Sequence, residues 1–366
     1  MPNLWPDFEI PASLLGRKIP CRTNIPGNLV SSGVPFARCL NLRDGNLIQI
    51  WGGGRMPPDT GRAAPSQKEP SNRNSALAGP ETHEEKVETT AAYVTLETLI
   101  VRREGAVLFV EISAPPMNLL GPELVRDLVT LIKKAEADES VRVLVFESAN
   151  PDYFISHVDV TKISEYRAEA AELVGEPSLA MLFRYLSLSR LVTIAQIEGR
   201  VRGAGSEFVL ACDMRFAARE SAIFGQFEAA FGAIPGAGGT QHLTRLMGRA
   251  RALEVMLSAQ DYDADLAERY GWINRALPAD SIEDFVTSIA VRIAGLPAAG
   301  CALVKERVNA IALPPVEDIR RDSDLFAERM RTPESQTKTA AAMKRGFQSR
   351  DGELHLARLL GELKED

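Results

Sequence analysis

An α/β fold, a mixed or parallel sheet covered by helices, is what the sequence predicts from about residue 94 onward. Two short apolar, β-branched runs, 141–146 and 191–197, have the look of strands buried on both faces. Helical stretches separate and follow them, and a hairpin-like pair precedes both. The hairpin is residues 99–102 and 106–112, joined by Arg103-Glu104-Gly105. Pro115-Pro116 ends it, and a helix follows from Pro122 with Leu124, Val125, Leu128, Val129, Ile132 and Ala135 on one face. Further helical stretches are expected around 168–173 and 179–188. After Gly236 the pattern reads as mostly helical to the end, punctuated by Gly248, Gly271 and Gly346.

The chain has 366 residues, 45% hydrophobic and 25% charged, which suits a sizeable core and argues against wholesale disorder. No apolar run approaches the roughly 18–20 residues that span a bilayer, so no membrane partner is expected. Cys21, Cys39, Cys212 and Cys301 are dispersed without a CxxC pair, as in a reducing compartment. The net charge of −7 argues against nonspecific nucleic-acid binding. Residues 1–80 differ from the rest. They hold 11 of the 22 prolines and 9 of the 27 glycines, with nine basic against five acidic residues. That surplus of four positive charges leaves −11 for residues 81–366. Residues 1–93 therefore read as a disordered extension, 94–350 as the catalytic domain and 351–366 as a helical tail. The early Asp7 and Glu9 and the lack of an Arg-rich amphipathic helix favour a cytoplasmic protein, with mitochondrial import left open.

The glycine clusters fail the familiar nucleotide signatures. After Gly203-Ala-Gly205 the third glycine of GxGxxG would fall at Phe208, and after Gly236-Ala-Gly238 it would fall at Gln241. Ser206 lacks the flanking glycines of GxSxG, since Ala204 and Phe208 stand there. His83, His157, His242 and His355 are isolated, so no metal site is expected. A pair of carboxylates remains. Glu207 falls in the first turn of a helix after Gly203-Ala-Gly205, and Glu228 follows the strand-like run 223–227. Just beyond lies the glycine-rich Ile234-Pro-Gly-Ala-Gly-Gly-Thr240. Two carboxylates beside a glycine-rich helix start suit proton transfer next to a polarised carbonyl. Each could equally be a solvated surface charge, and spacing alone does not decide.

Residues 96–280 resemble the enoyl-CoA hydratase/isomerase (crotonase) superfamily. Three blocks carry the resemblance: Ile197-Glu-Gly-Arg-Val-Arg-Gly-Ala-Gly-Ser-Glu-Phe-Val-Leu-Ala-Cys-Asp213, Phe224-Gly-Gln-Phe-Glu228 and Phe231-Gly-Ala-Ile-Pro-Gly-Ala-Gly-Gly-Thr-Gln241. The resemblance implies a spiral of ββα units ending in a helical trimerisation region, and a homotrimer or dimer of trimers (a homohexamer). It implies an acyl-CoA substrate of the fatty-acid metabolism type, with coenzyme A as part of the substrate and no separate cofactor. It assigns the oxyanion-hole N–H groups to Val158 and Ala204, and a carbonyl-polarising helix start to Gly236. Glu207 and Glu228 match the two hydratase carboxylates, implying water addition across a 2,3-double bond. An isomerase, decarboxylase or thioester hydrolase of the same family, or a non-catalytic binding protein on this fold, are the alternatives. Four positions depart from the family pattern, among them Phe227, which stands in place of the common proline before the second Glu. His157 stands where glycine is usual and Arg202 where a small or apolar residue is usual; both are substrate-pocket candidates, with a packed or solvent-facing loop histidine as the other reading of His157 and a solvent-pointing side chain as that of Arg202. Ala204 replaces a glycine, so its donor role requires a backbone that alanine tolerates.

Overall fold

The computed structural model describes residues 95–363. The extension expected over 1–93 lies outside the described residues, as does the end of the tail, 364–366.

Strands β1 (Leu99–Glu104) and β2 (Val107–Ile112) form the antiparallel hairpin, turned at Gly105 with φ +56°. Helix α1 (Pro122–Ala137) starts on proline, which needs no hydrogen-bond partner for an N–H it lacks, and buries the predicted face. Three units then follow one plan. Strands β3 (Val143–Ser148) and β4 (Tyr153–Ile155) lead into α2 (Ile163–Val174) and α3 (Leu179–Leu188). Strands β5 (Val192–Ile197) and β6 (Arg200–Arg202) lead into α4 (Ala204–Ala211). Strands β7 (Met214–Ala218) and β8 (Ile223–Gly225) lead through a 3₁₀ turn, Glu228–Phe231, into α5 (Gly239–Ser258). The remaining elements are β9 (Asp261–Asp263), α6 (Ala264–Tyr270), β10 (Arg275–Leu277), α7 (Ile282–Ala294), α8 (Ala298–Ala312), α9 (Val316–Arg329), α10 (Pro333–Lys344), α11 (Arg350–Leu354) and α12 (Leu356–Glu362).

Among the described residues, the first strand of each unit joins a six-stranded sheet in the order β1-β2-β3-β5-β7-β10, parallel from β2 onward. The second joins a four-stranded sheet, β4-β6-β8-β9. This alternation is the spiral of ββα units. The large sheet is buried on both faces, which explains its continuous apolar runs. Leu144 and Phe146 join the main core, Phe146 edge-on to Phe208 of α4, while Val143 and Val145 pack with Ile194 and Phe216 against Ile282, Val286 and Ala290 of α7. After Gly236 the chain is mostly helical, as expected, with two short strands, β9 and β10, that the pattern did not show. Each has three residues, too few for a period-2 pattern to register; β9 pairs with β8 and β10 with β7. The segment read as a tail packs inward. Leu356, Leu359, Leu360 and Leu363 bury against Phe227, Phe231, Ala342 and Phe347, so α10–α12 cover the turn that carries Glu228.

Candidate active site

All eight residues of α4 are buried, which places Glu207 in the interior. The turn before it depends on glycine. Gly203 has φ +50°, and a Cβ there would lie 3.2 Å from both Glu228 Oε1 and His157 Cβ. A Cβ on Gly205 would lie 2.2 Å from the Ile155 carbonyl oxygen. The positive φ falls on Gly203, and Ala204 is simply the first residue of the helix, so the alanine departure carries no strain.

Glu207 Oε1 accepts hydrogen bonds from the backbone N–H groups of Ala237 and Gly239, at 2.7 and 2.8 Å. Both carboxylate oxygens of Glu228 accept from Gln226 Nε2, at 2.9 and 3.0 Å. Burial, then the charge of Glu228, push the Glu207 carboxyl well above the usual carboxylate range, against those two N–H donors. Burial raises Glu228 as well, opposed by hydrogen bonds including that from Gln226, and by His157. Two desolvated, mutually repelling carboxylates favour a single shared proton over two charges.

Glu207 and Glu228 line one cavity, together with His157, Val158, Ala204 and Gly236. Phe227, Phe231, Phe326 and Phe347 form much of its apolar wall. It offers about 50 Å³ to the centres of water-sized molecules, room for a few waters. The N–H groups of Val158 and Ala204 donate to nothing among the described residues. Of the seven residues singled out in the sequence, six therefore meet at this cavity.

Gly236 arrives there in a different role. Helix α5 begins at Gly239, after Gly238 at φ +112°, so Gly236 is not the helix start that was expected. The first N–H groups of that turn serve Glu207. Gly236 instead admits α9, because a Cβ on it would lie 2.4 Å from Phe326 Cβ. Arg202 does not line the cavity. It is 1% exposed and donates through Nε and Nη2 to the two carboxylate oxygens of Asp261, each at 2.7 Å. Its Nη1 donates to the main-chain carbonyl of Glu353 at 2.8 Å. His157 lines the cavity with its ring stacked on Phe347 at 4.6 Å, and its Nε2 lies 3.0 Å from Glu353 Oε1. Burial would raise the Glu353 carboxyl, but the charge and hydrogen bond of His157 hold it below the usual range. Gln226 and Glu353 were not anticipated. Gln226 is two residues before Glu228 and could have been read from that spacing, whereas Glu353 has no local signal.

A family model described as enoyl-CoA hydratase/isomerase matches residues 102–349. A short-chain-enoyl-CoA hydratase of Clostridium acetobutylicum is 30% identical over 215 residues, 58% of this chain and 82% of that protein. A solved structure from Streptomyces avermitilis, provisionally named an enoyl-CoA hydratase, is 52% identical with a TM-score of 0.72, covering 74% of this chain and 98% of that one. An enoyl-CoA hydratase structure from Bacillus halodurans, 19% identical with a TM-score of 0.60 over 67% of this chain and all of that one, shares the fold. The matched span holds both carboxylates, both unpaired N–H groups and all three ββα units, and the chain belongs to the enoyl-CoA hydratase/isomerase (crotonase) superfamily.

Proposed function

We propose that the protein is an enoyl-CoA hydratase that adds water across the 2,3-double bond of an acyl-CoA thioester. The observation that carries this reading is the meeting of two buried carboxylates, Glu207 and Glu228, with the unpaired N–H groups of Val158 and Ala204 at one cavity. The thioester carbonyl would accept from the two N–H groups, which stabilise the enolate oxygen as negative charge moves onto it. Water would sit between the carboxylates. Its oxygen bonds to Cβ while Glu207 takes its proton, and Glu228 gives a proton to Cα. One shared proton suits this exchange, because the pair then holds one group ready to accept and one ready to donate. Coenzyme A enters as part of the substrate. The small cavity and its phenylalanine wall favour acyl groups of a few carbons.

The test is purified protein with crotonyl-CoA and with longer and branched enoyl-CoAs, read by mass spectrometry. Hydration adds the mass of one water, whereas isomerisation leaves the mass unchanged. Absence of water addition on every substrate refutes the hydratase reading, as do full rates in Glu207→Gln and Glu228→Gln.

A homo-oligomer, a trimer or a dimer of trimers, belongs to the same proposal. Helix α8 has no buried residue, and Leu303, Val304, Val308 and Ile311 are each more than half exposed. Val304, Val308 and Ile311 border a broad apolar groove shared with Leu246 and Leu296. A continuous apolar surface of this kind suits burial against a second copy. Sedimentation of the intact protein and of Val304→Glu/Ile311→Glu checks it: the first should be oligomeric and the second smaller.

A further inference from the structure

We infer that Glu353, in helix α11, is a positioning residue that holds both N–H donor segments in place. His157 and Arg202 then serve as its two grips, and neither reads the substrate. The inference rests on the hydratase reading above and assigns the support of that same site.

The first donor segment is pinned on every side except one. The His157 carbonyl accepts from Leu120 N–H at 2.8 Å, and Asp159 N–H donates to the Leu120 carbonyl at 3.1 Å. The 157–158 peptide is trans, so the Val158 N–H points opposite to that held carbonyl. The next carbonyl, of Val158, lies 2.7 Å from His157 Nδ1. A carbonyl only accepts, so Nδ1 carries a proton; Nε2 faces a carboxylate oxygen, so a second proton lies between the ring and Glu353. The ring is thus tied at both nitrogens, stacked on Phe347 and set perpendicular to Phe227, and is 1% exposed. Without Glu353 the imidazole loses the contact that orients it, and the Val158 carbonyl loses a fixed donor.

The second donor segment is held by the other half of the same residue. Arg202 directly precedes Gly203 and Ala204, and its guanidinium bridges Asp261 and the Glu353 main-chain carbonyl. Gly203 N–H donates to the Gly225 carbonyl at 3.0 Å, which fixes the strand edge where the turn begins. Glu353 is itself fully buried, and its Oε1 also accepts from Gln348 N–H at 3.0 Å. One residue therefore ties two segments, far from it in sequence, whose separation sets the size of an oxyanion site. A misplacement of a few tenths of an ångström there weakens an interaction made chiefly in the transition state, so kcat should respond and KM should not.

The test uses the full chain and two readouts. One is kcat and KM per folded molecule, with folded fraction taken from near-ultraviolet circular dichroism. The other is the absorbance red shift of bound 2,4-hexadienoyl-CoA, which reports carbonyl polarisation directly. Glu353→Ala should lower kcat on the order of 10²-fold, leave KM within about threefold, and remove at least half of the red shift. Glu353→Gln should recover most of both, because its amide oxygen can still accept from His157 Nε2 and Gln348 N–H, whereas the main-chain carbonyl that meets Arg202 is present in either variant. If Glu353→Ala does not fold, Arg202→Lys, which cannot span both Asp261 and the carbonyl, should give a smaller loss of the same sign. The assignment is overturned if kcat per folded molecule and the red shift stay at the wild-type values. It is also overturned by a raised KM at unchanged kcat, or by Glu353→Gln failing as completely as Glu353→Ala. A wild-type red shift without hydration of any substrate would remove the hydratase reading and leave the positioning role readable from the shift alone.

Discussion

Residues 197–241 and residues 346–363 both build the cavity, and the difference between them is one of distance. In the first stretch Glu207, Glu228 and their glycine-rich neighbours sit within a few turns of one another, and the hydrogen bonds that matter span 2 to 32 residues. In the second, Glu353 reaches His157 across 196 positions and Arg202 across 151. Chemistry demands particular residue types at a short, repeatable spacing. Support demands only that something of the right shape and charge arrive, and packing can bring it from anywhere.

The largest effect expected from breaking this comparison lies in the first stretch. Glu207→Gln and Glu228→Gln should each lower hydration by about 10²–10⁴-fold, and the double variant should be little worse than the weaker single, since the two act as a unit. Steady-state kinetics on crotonyl-CoA checks this.

A matched glycine pair sharpens it. A Cβ at Gly205 would lie 2.2 Å from the Ile155 carbonyl oxygen, and one at Gly352 would lie 2.0 Å from the Gly346 carbonyl oxygen. Gly205→Ala sits in the central core and should destabilise the whole protein by roughly 3 kcal/mol. Gly352→Ala should displace the short α11 with an effect nearer 1 kcal/mol on melting, while lowering kcat. Thermal unfolding beside kinetics separates the two. Equal melting shifts would show that the C-terminal segment is as central to stability as α4.

Acyl chain length should matter less. The phenylalanine wall, drawn from both stretches and from Phe326 of α9, predicts that kcat/KM for a ten-carbon enoyl-CoA falls about tenfold below the four-carbon substrate, the loss of roughly 1.4 kcal/mol. Equal values would show that the wall opens readily.

The smallest effect is on pH and stability. Both carboxyls are raised in the folded state, so the folded protein holds protons that the unfolded chain releases above its ordinary carboxyl value. Stability should therefore fall as pH rises from that value through the raised folded one. Glu207→Gln removes part of this slope, keeps an oxygen for the Ala237 and Gly239 N–H groups, and should stabilise the protein relative to wild type by about 1 kcal/mol more at pH 8 than at pH 5. Urea midpoints at the two pH values measure it.

The elements legible in the sequence were those long enough to show a period. Helix α1, the hairpin and the strands at 143–148 and 192–197 were read within a few residues. Strands β4, β6, β8, β9 and β10 have three residues each, and of these only β8 left a trace in the pattern. His157 and Arg202 were seen as anomalies and left between a substrate role and a plain packed or solvent-facing one, because a charged residue beside a catalytic block has no visible partner until the chain folds. Gly236 was taken for a helix start, yet its close approach to Phe326 is a contact with α9.

Sequence alone determined the α/β class, because buried strands and amphipathic helices write local runs and periods, and it singled out the carboxylate pair through the resemblance of three contiguous blocks to a family, since spacing alone did not decide. Only the tertiary structure decided that Glu207 takes its backbone donors from Ala237 and Gly239, and that the C-terminal helices close over the site. It likewise decided that His157 and Arg202 turn to Glu353. Those outcomes depend on burial. A buried charge must find a partner wherever packing places one, and no sequence spacing specifies where that is.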